Sequence, residues 1–520
     1  MNKKVAYGLL AGALAAAAAG VLDRAGLAAR WDNPLSDWRA RILAQPSAAT
    51  PQVKLVLLDQ YSLDWGSETM GLSWPWPREM YSAVLDYLAR NGARAVVFDV
   101  LYTEASASGV SDDERFGAAA GRFGNFVGAV FLGKTTDQAT RWPDEAQPNP
   151  VRVDGLEAWL AAHPAAAAEL VSAAAAFPVP ELATNAAWLA NVREVPDGDG
   201  VFRRATPFRL FDGQVLPSLG FAGWLAGLAE KPVVGRIGEN ELVIGGRRVP
   251  LDGSGRMILK FRGPARVHQT FNAAEVIQSE LRLLEGGKPP IADGSVFKDA
   301  YVVFGFSAPG LKDLRPSPMG GDYPGPAIYA TMLDNLLAGD FLRDAPGWAV
   351  WLWVLALALA AGVAASAARN GWQTAFAAAV LLASPVLAGG AAWRAGLVLP
   401  AAGALLAVVL ALLAGAVINF VLEGRQKMFI KGAFKHYLSA EVIEQIMRDP
   451  NSLKLGGEKR ELTIFFSDLQ GFSTISERLG PEDLTKLLND YLSDMTDIIL
   501  EEGGTLDKYE GDAIIAFWNA

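Results

Sequence analysis

The sequence predicts a multidomain membrane protein in which an α/β domain, a bundle of transmembrane helices and a small α+β domain follow one another. Three observations predict this order. The 520 residues are 51% hydrophobic and only 20% charged, with a mean hydropathy of +0.20, which is too apolar for an ordinary soluble enzyme. Residues 347–422 contain only two charges, and residues 461–520 carry Asp468 and Asp512, each beside an apolar, strand-like run.

Composition also limits the partners and the chemistry. The formal net charge is −10 and the sequence pI is about 5.1. No block of Lys or Arg could follow a phosphate backbone, so we do not expect a nucleic acid partner. Cysteine is absent and only three histidines are present, which argues against a thiolate nucleophile, a disulfide framework and a Cys- or His-based zinc site. Any metal should therefore be a hard cation bound by carboxylates.

Four apolar runs predict transmembrane helices. Residues 5–22 form an uncharged run after the segment MNKK at 1–4, which indicates a transmembrane helix or an uncleaved signal anchor, with a cleavable signal peptide as the alternative. Arg369 and Arg394 divide the later region into three further runs, at 347–368, 371–392 and 395–422. Basic residues near both ends of the chain favour a cytoplasmic N-terminus and a cytoplasmic C-terminal part.

Residues 24–345 lie outside the cytoplasm in this topology and indicate a mixed α/β domain. Apolar periodicity predicts helices over Glu79–Arg90 and over the Ala-rich residues 158–176. Asp59, Asp99 and Glu104 follow predicted strands, where α/β folds place chemistry, but we prefer the interpretation that they cap helices or loops. We therefore interpret the domain as a sensor with an unknown stimulus. The short apolar runs that predict strands are Val53–Leu58, 95–100, 126–132, 257–261 and Tyr301–Phe306.

Several segments of this region occur in a characteristic order. They are LLDQYSLDWG, WPWPREMYSAVLDYLARNGARAVVFDVLY, VPLDGSGRMILKFRGP, YVVFGFSAPGLKDLRPSPM and YPGPAIYATMLDNLLAGDFL. On these segments, most of the stretch 30–343 resembles the CHASE2 extracytoplasmic sensor domain, a family in which three membrane helices follow the sensor. Tyr329 stands where the family pattern leads us to expect a histidine. The resemblance implies a sensor on the outer side of the membrane.

Residues 423–459 predict an amphipathic linker between the membrane and the C-terminal domain. Ser439 can cap its second helix, which Asp449 and Pro450 end. Such helices either lie at the membrane surface or pair with a copy of themselves, and pairing suits a signal relay. Simple packing against the next domain is the alternative. The apolar stripe of the first helix comprises Phe429, Phe434, Tyr437 and Leu438.

Residues 460–520 predict a small α+β domain. Its helix keeps apolar residues at i, i+3 and i+4, so it should pack on a sheet. A tight turn joins its last two strands into a hairpin. The predicted elements are a strand at 462–466, a polar loop at 470–474, a helix from Pro481 to Ile499, and strands at 505–509 and 512–517.

The two aspartates of this domain can form a metal site. If the hairpin pairs with the first strand, Asp512 comes beside Asp468. Loop amides near Gly471, ahead of a helix, can bind an anion such as phosphate. A palm-like site uses this combination to hold two Mg²⁺ ions for in-line attack on an α-phosphate. The alternative is that each aspartate is a cap or turn residue.

Two motifs of this domain, FFSDLQGFSTISE and DKYEGDAIIAFW, are similar to the opening half of the class III nucleotidyl cyclase catalytic domain. The preceding KGAFKHYLSAEVIEQIM resembles the transducing segment of CHASE2-linked bacterial adenylate cyclases. The resemblance implies a ferredoxin-like, palm-type domain, present here in part, that converts ATP to cyclic AMP and pyrophosphate. It assigns two Mg²⁺ or Mn²⁺ ions to Asp468, Asp512 and the Leu469 carbonyl, and the phosphates to the amides around Gly471, Phe472 and Ser473.

The same resemblance gives Lys508 the purine-reading position. Lysine there accompanies ATP, because an ammonium donates to N1 of adenine, whereas guanylate cyclases carry glutamate. Members of this cyclase family are homodimers, with metals from one subunit and the lysine from the other, and we expect this one in the bacterial inner membrane. The chain ends at Ala520 before the family's transition-state Asn and Arg, so we expect a truncated form of a longer protein. The alternative function is a receptor whose cyclase-like module is inactive and serves dimerisation or nucleotide binding.

Overall fold

The computed structural model describes residues 3–133, 138–311, 313–368, 370–434 and 459–519. Arg369 and the linker residues 435–458, which include Ser439 and Pro450, lie outside the described residues. The chain divides into two compact units. The larger contains Ala15–Ala358 and Ala379–Val409, and the other contains Met1–Leu14, Leu359–Ala378 and Leu410–Ala520.

The elements that precede residue 346 belong mainly to the larger unit. The helices are α1 (Lys3–Arg24), α2 (Ala29–Leu43), α3 (Gln60–Met70), α4 (Glu79–Arg90), α5 (Val110–Phe123), α6 (Leu156–Ala162), α7 (Pro164–Leu170), α8 (Pro180–Ala183), α9 (Leu219–Ala226), α10 (Ala273–Leu284) and α11 (Gly325–Ala338). The strands are β1 (Val53–Leu58), β2 (Ala95–Phe98), β3 (Phe126–Gly133), β4 (Val151–Asp154), β5 (Val171–Ser172), β6 (Ala174–Ala176), β7 (Trp188–Asn191), β8 (Arg204–Ala205), β9 (Phe208–Phe211), β10 (Gln214–Pro217), β11 (Val233–Ile237), β12 (Glu241–Ile244), β13 (Arg247–Pro250), β14 (Met257–Ile258), β15 (Gln269–Asn272), β16 (Tyr301–Phe306), β17 (Leu314–Ser317), β18 (Gly320–Pro324) and β19 (Arg343–Asp344).

A mainly parallel sheet forms the centre of this region. Its order is β15-β1-β16-β2-β3-β6, β7 also pairs with β3, and the β3–β6 pair alone among these is antiparallel. Helices α3, α4, α5 and α10 pack on one face, and α9 and α11 pack on the other. Strands β1 and β2 are therefore buried along their whole length, as their mainly apolar sequences predict for a sheet covered on both faces; Lys54 is the one charged residue among them.

Most, but not all, of the predicted elements of this region are confirmed. Strands Val53–Leu58 and Tyr301–Phe306 have the predicted bounds, as does the helix Glu79–Arg90. The strand predicted over 257–261 is limited to β14, which pairs with β8 outside the main sheet. The single helix predicted over 158–176 is wrong. Pro164, which has no amide hydrogen to donate, separates α6 from α7, and β6 pairs with β3, so sheet pairing overrides the helix propensity of alanine.

Four helices of the described chain are long and apolar enough to cross a bilayer. They are α1, α12 (Gly347–Ala367), α13 (Gly371–Arg394) and the first part, Ala402–Leu422, of α14 (Ala402–Phe434). The last helix begins later than the predicted residue 395, because β20 (Leu397–Val398) pairs with β19 and Pro400 follows it. The Asp32 carboxylate then accepts the Ala401 and Ala402 amides at 2.7 and 2.8 Å and so caps α14.

The C-terminal domain has one helix packed on a three-stranded antiparallel sheet. Its elements are β21 (Thr463–Ser467), α15 (Phe472–Arg478), α16 (Pro481–Glu501), β22 (Thr505–Glu510) and β23 (Ala513–Trp518), with sheet order β21-β23-β22. Ile499 of α16 is buried against Leu506, Ile514 and Ala516. The predicted helix and hairpin are confirmed. On the other face of the sheet, Phe466 is 69% exposed.

Candidate functional site

Asp468 and Asp512 lie at the same end of the C-terminal sheet. Strands β21 and β23 pair antiparallel with Ser467 opposite Ile514. Asp468 directly follows β21 and Asp512 precedes β23, so this register brings the two aspartates together, as the sequence predicted. The Leu469 amide donates a hydrogen bond to the Asp512 carboxylate at 3.1 Å, which fixes one carboxylate oxygen against the loop that carries Asp468.

The loop after Asp468 turns sharply into α15. Gly471 adopts a left-handed conformation with φ of 74°, a region that costs other residues roughly 1 kcal/mol or more. The Phe472 amide donates to the Leu469 carbonyl at 3.2 Å. That carbonyl, one of the predicted metal ligands, therefore uses one of its two lone pairs within the loop. Ser473, the third residue of the predicted phosphate loop, lies in the exposed first turn of α15.

Lys508 lies on the other side of β23 from β21 and Asp468. It is on β22 and pairs with Ile515, which in turn pairs with Phe466 of β21. A register shift between Leu506 and Lys508 leaves Asp507 as the extra residue of a β-bulge. The bulge reverses the alternation, so Leu506 packs under α16 while Lys508 is exposed on the opposite, open face of the sheet.

The donor set of this site fits a hard cation. Two carboxylates and a backbone carbonyl are oxygen ligands of the kind that Mg²⁺ and Mn²⁺ prefer. Asp468 is exposed and Asp512 is half-buried, so both side chains are accessible. Within the described residues, no group of three or more His, Cys, Asp or Glu side chains is placed to hold a metal ion. A metal site here would therefore depend on the two aspartates together with main-chain or ligand oxygens.

The three strand-end carboxylates of the sensor region differ in what they do. Asp59 accepts the Ser62 amide at 2.9 Å and the Ser62 hydroxyl at 2.8 Å, so it caps α3 as predicted. The side chain of Glu104 is exposed, and its backbone carbonyl accepts from Arg78. Asp99 is different, because its Oδ2 atom is buried without a hydrogen-bond partner in the described structure. The capping interpretation is therefore wrong for Asp99.

Asp99 belongs to a cluster of ionisable groups that sequence reasoning missed. Burial raises its pKa well above the usual range, and the charge of Asp313 raises it further. Burial also raises the pKa of Glu194 to about 7. Tyr329 is buried, and its hydroxyl donates to the Val192 carbonyl at 2.8 Å. These residues come from distant parts of the chain, so no local sequence signal could have found the cluster.

Comparison with known proteins gives the family. The sequence matches the CHASE2 domain family over residues 11–363, which is more than half of the chain. The chain belongs to the CHASE2 domain family. The match contains the whole predicted sensor and reaches into the helices on either side of it, α1 and α12. A CHASE2 sensor domain and four apolar helices fit a membrane protein.

Shorter matches connect the CHASE2 protein with cyclases. It is 45% identical over 60 residues to an adenylate cyclase of Anabaena cylindrica, a stretch that covers 12% of each protein. It is 28% identical over 87 residues to adenylate cyclase 1 of Rhizobium meliloti, covering 17% of this chain and 13% of that protein. A terminal-differentiation-specific adenylate cyclase of Dictyostelium discoideum is 39% identical over 59 residues, 11% of this chain and 3% of its own length. The chain thus spans only about an eighth of the length of the first two relatives.

Proposed function

We propose that this CHASE2 protein is a membrane-bound adenylate cyclase that converts ATP to 3′,5′-cyclic AMP and pyrophosphate by a two-metal mechanism. The observation that carries the proposal is the β21–β23 register, which brings Asp468 and Asp512 to one end of the sheet. The short matches to proteins named adenylate cyclase support the same activity. The CHASE2 domain would regulate this activity from outside the cytoplasm, in response to a stimulus of unknown chemistry.

The aspartates would hold the metal ions in this mechanism. Two Mg²⁺ ions, when bound, would supply the charge that activates the attacking hydroxyl and neutralises the departing pyrophosphate. Asp468 is exposed and can turn both of its oxygens towards the site. Asp512 is oriented by the Leu469 amide, which occupies Oδ2 and leaves Oδ1 for a ligand. The Leu469 carbonyl keeps one lone pair beyond its bond to Phe472.

Recognition of ATP would use the loop and Lys508. The amides around Gly471, Phe472 and Ser473 would bind phosphate oxygens, with the Phe472 amide first released from the Leu469 carbonyl or shared with it. Lys508 would donate to N1 of adenine. Because β23 separates Lys508 from β21 and Lys508 is exposed on the open face, a homodimer could combine the aspartates of one subunit with Lys508 of the other.

A direct assay tests the proposal. The complete gene product would be purified in lipid nanodiscs and incubated with ATP and Mg²⁺ or Mn²⁺, and cyclic AMP would be measured by mass spectrometry. We expect metal-dependent cyclic AMP formation that Asp468→Ala abolishes. Asp494→Ala is the matched control, because Asp494 is an exposed aspartate on α16, and it should keep wild-type activity. Nucleotide binding without turnover in the wild-type protein would instead support an inactive, cyclase-like receptor module.

A further inference from the structure

Helix α2 buries polar side chains and exposes apolar ones along one face, the reverse of a helix in a soluble domain, and its exposed Arg30 and Arg41 lie beside that apolar face. Asp37, Arg39 and Ala40 of this helix are buried. Trp31 is 72% exposed and Trp38 is 48% exposed, and these two tryptophans lie on one face because they are seven residues apart. A surface helix in water turns its apolar stripe to the core and its charges to solvent. The reversal indicates that the exposed face of α2 is not in contact with water.

The buried face of α2 attaches the helix to the outer ends of the membrane helices and to the sensor. Asp32 caps α14, and the Arg39 guanidinium donates to the Leu399 carbonyl at 2.7 Å. On the sensor side, Arg203 donates through two nitrogens to the Asp37 carboxylate at 2.7 and 2.8 Å. These contacts hold α2 at the level where α1 ends and α14 begins. That level is the boundary between the apolar spans and the sensor.

A groove separates the exposed side of α2 from the membrane helices. Its volume is about 910 Å³, and its lining residues are all apolar. Leu22 of α1, Val386 of α13 and Leu405 of α14 form one side, and Leu35 and Trp38 of α2 form the other. One wall therefore consists of the flanks of three helices that are apolar enough to cross a bilayer. The groove is continuous with the surface that faces lipid.

We propose that α2 is a membrane-interface helix and that its groove holds an acyl chain of an outer-leaflet phospholipid. An interfacial helix buries its apolar face at the boundary between headgroups and acyl chains, and tryptophan is enriched at this depth. Trp348, at the start of α12, is 71% exposed and adds a third tryptophan near the same boundary. The groove disfavours a polar occupant because its lining residues are hydrophobic and almost all of its surface is apolar. This site does not depend on the cyclase reaction.

Because the chain contains no cysteine, a single introduced cysteine can be labelled without background reaction at other positions. Single cysteines would replace Leu35, Trp38 or Ile42 in the full chain, which would be labelled with bimane and placed in phosphatidylcholine nanodiscs. Leu387→Cys is the lipid-facing control, since Leu387 is 71% exposed on α13, and Ala107→Cys is the control for water, since Ala107 is exposed on the sensor. Quenching by acyl-chain nitroxide lipids would be compared with quenching by aqueous iodide.

We expect the labels at positions 35, 38 and 42 to behave like the Leu387 control, with lipid quenching several-fold above the Ala107 control and little iodide quenching. Iodide quenching at 38 and 42 equal to that at Ala107 would place this face in water and overturn the proposal. Quenching by neither agent would show that protein covers the face, and it would overturn the proposal as well. The Ile42→Cys variant keeps both tryptophans, so its label still measures whether this face contacts lipid or water if the Trp38→Cys variant fails to fold.

Discussion

Asp334 in the CHASE2 domain and Asp512 in the C-terminal domain show two uses of the same side chain. Asp334 has no exposed surface, and its carboxylate accepts from Ser47, Thr50, Arg262 and His268 at 2.8, 2.6, 2.7 and 3.3 Å. Asp512 is half-buried and is oriented by one loop amide. A carboxylate saturated by protein donors holds structure together, whereas one with accessible lone pairs can bind a cation.

The sheets around these aspartates differ in the same way. The central sheet of the CHASE2 domain has helices on both faces, so its inner strands β1 and β2 are buried along their whole length. The three-stranded sheet of the C-terminal domain has α16 on one face, and the face that carries Lys508 and Phe466 is open. A structural change in the first sheet would require shifts of packed elements, whereas the second sheet has an exposed face that needs no such rearrangement to be contacted.

The largest effect should come from a substitution of Asp334, whose carboxylate is saturated by protein donors. Asp334→Asn removes the charge that pairs with buried Arg262, so we expect the free energy of unfolding to fall by about 3–5 kcal/mol. Urea unfolding of the protein in detergent at pH 7 would measure it. Asp322→Asn, at an exposed position in β18, is the control and should change stability by no more than about 0.5 kcal/mol. Equal stabilities for the two variants would refute a structural role of Asp334.

A substitution at the accessible Asp512 should lower the rate of cyclic AMP formation but leave the free energy of unfolding nearly unchanged. Asp512→Asn should raise the barrier to cyclic AMP formation by about 3 kcal/mol, roughly 100-fold in rate, because one charged group at the reacting centre is lost. The free energy of unfolding in urea should stay within about 0.5 kcal/mol of the wild-type value, since the asparagine oxygen can still accept a hydrogen bond from the Leu469 amide. A variant that unfolds more readily in proportion to its loss of activity would show that Asp512 is structural.

The buried cluster of the CHASE2 domain should make stability depend on pH. The folded-state pKa of Glu194, about 7, lies above its ordinary value of 4.5, so folding favours the protonated acid. The contribution of Glu194 to the free energy of unfolding is therefore fully present below pH 4.5. It is lost as pH rises through 7, which lowers the free energy of unfolding by at most about 3 kcal/mol. We expect the thermal midpoint to fall between pH 5 and pH 8, and Glu194→Gln to reduce that fall. Glu157→Gln, on the exposed side of α6, should leave it unchanged; a wild-type midpoint that rises with pH would contradict the assignment.

The smallest effect should be on nucleotide choice. Lys508→Glu replaces a donor to adenine N1 with an acceptor, so we expect kcat/KM for ATP to fall about tenfold relative to GTP, or about 1.5 kcal/mol. Lys486→Glu makes the same charge change at an exposed position of α16 and should leave the ratio unchanged. A ratio that moves equally in both variants would mean that charge alone, and not contact with the base, determines the preference.

Local features of the fold could be predicted from the sequence. The apolar runs specified β1 and β16, and helical spacing specified α4 and α16 with bounds close to those observed. The helix predicted over 158–176 failed because strand pairing with β3 outweighs alanine propensity there. For the candidate site, the motifs located Asp468 and Asp512 correctly at adjacent strand ends, because the hairpin has one simple way to pair with the first strand.

What the sequence by itself determined is therefore the order of elements, the four apolar spans and the identity of the two aspartates, since all of these follow from composition and short-range periodicity. The tertiary structure alone decided which carboxylates meet: Asp99 with Asp313 and Glu194, and Asp334 with Arg262 and His268. It also decided the bulge that turns Lys508 to the open face and the reversed exposure of α2. The physical reason is that burial and hydrogen bonding depend on neighbours far along the chain, which no local pattern encodes.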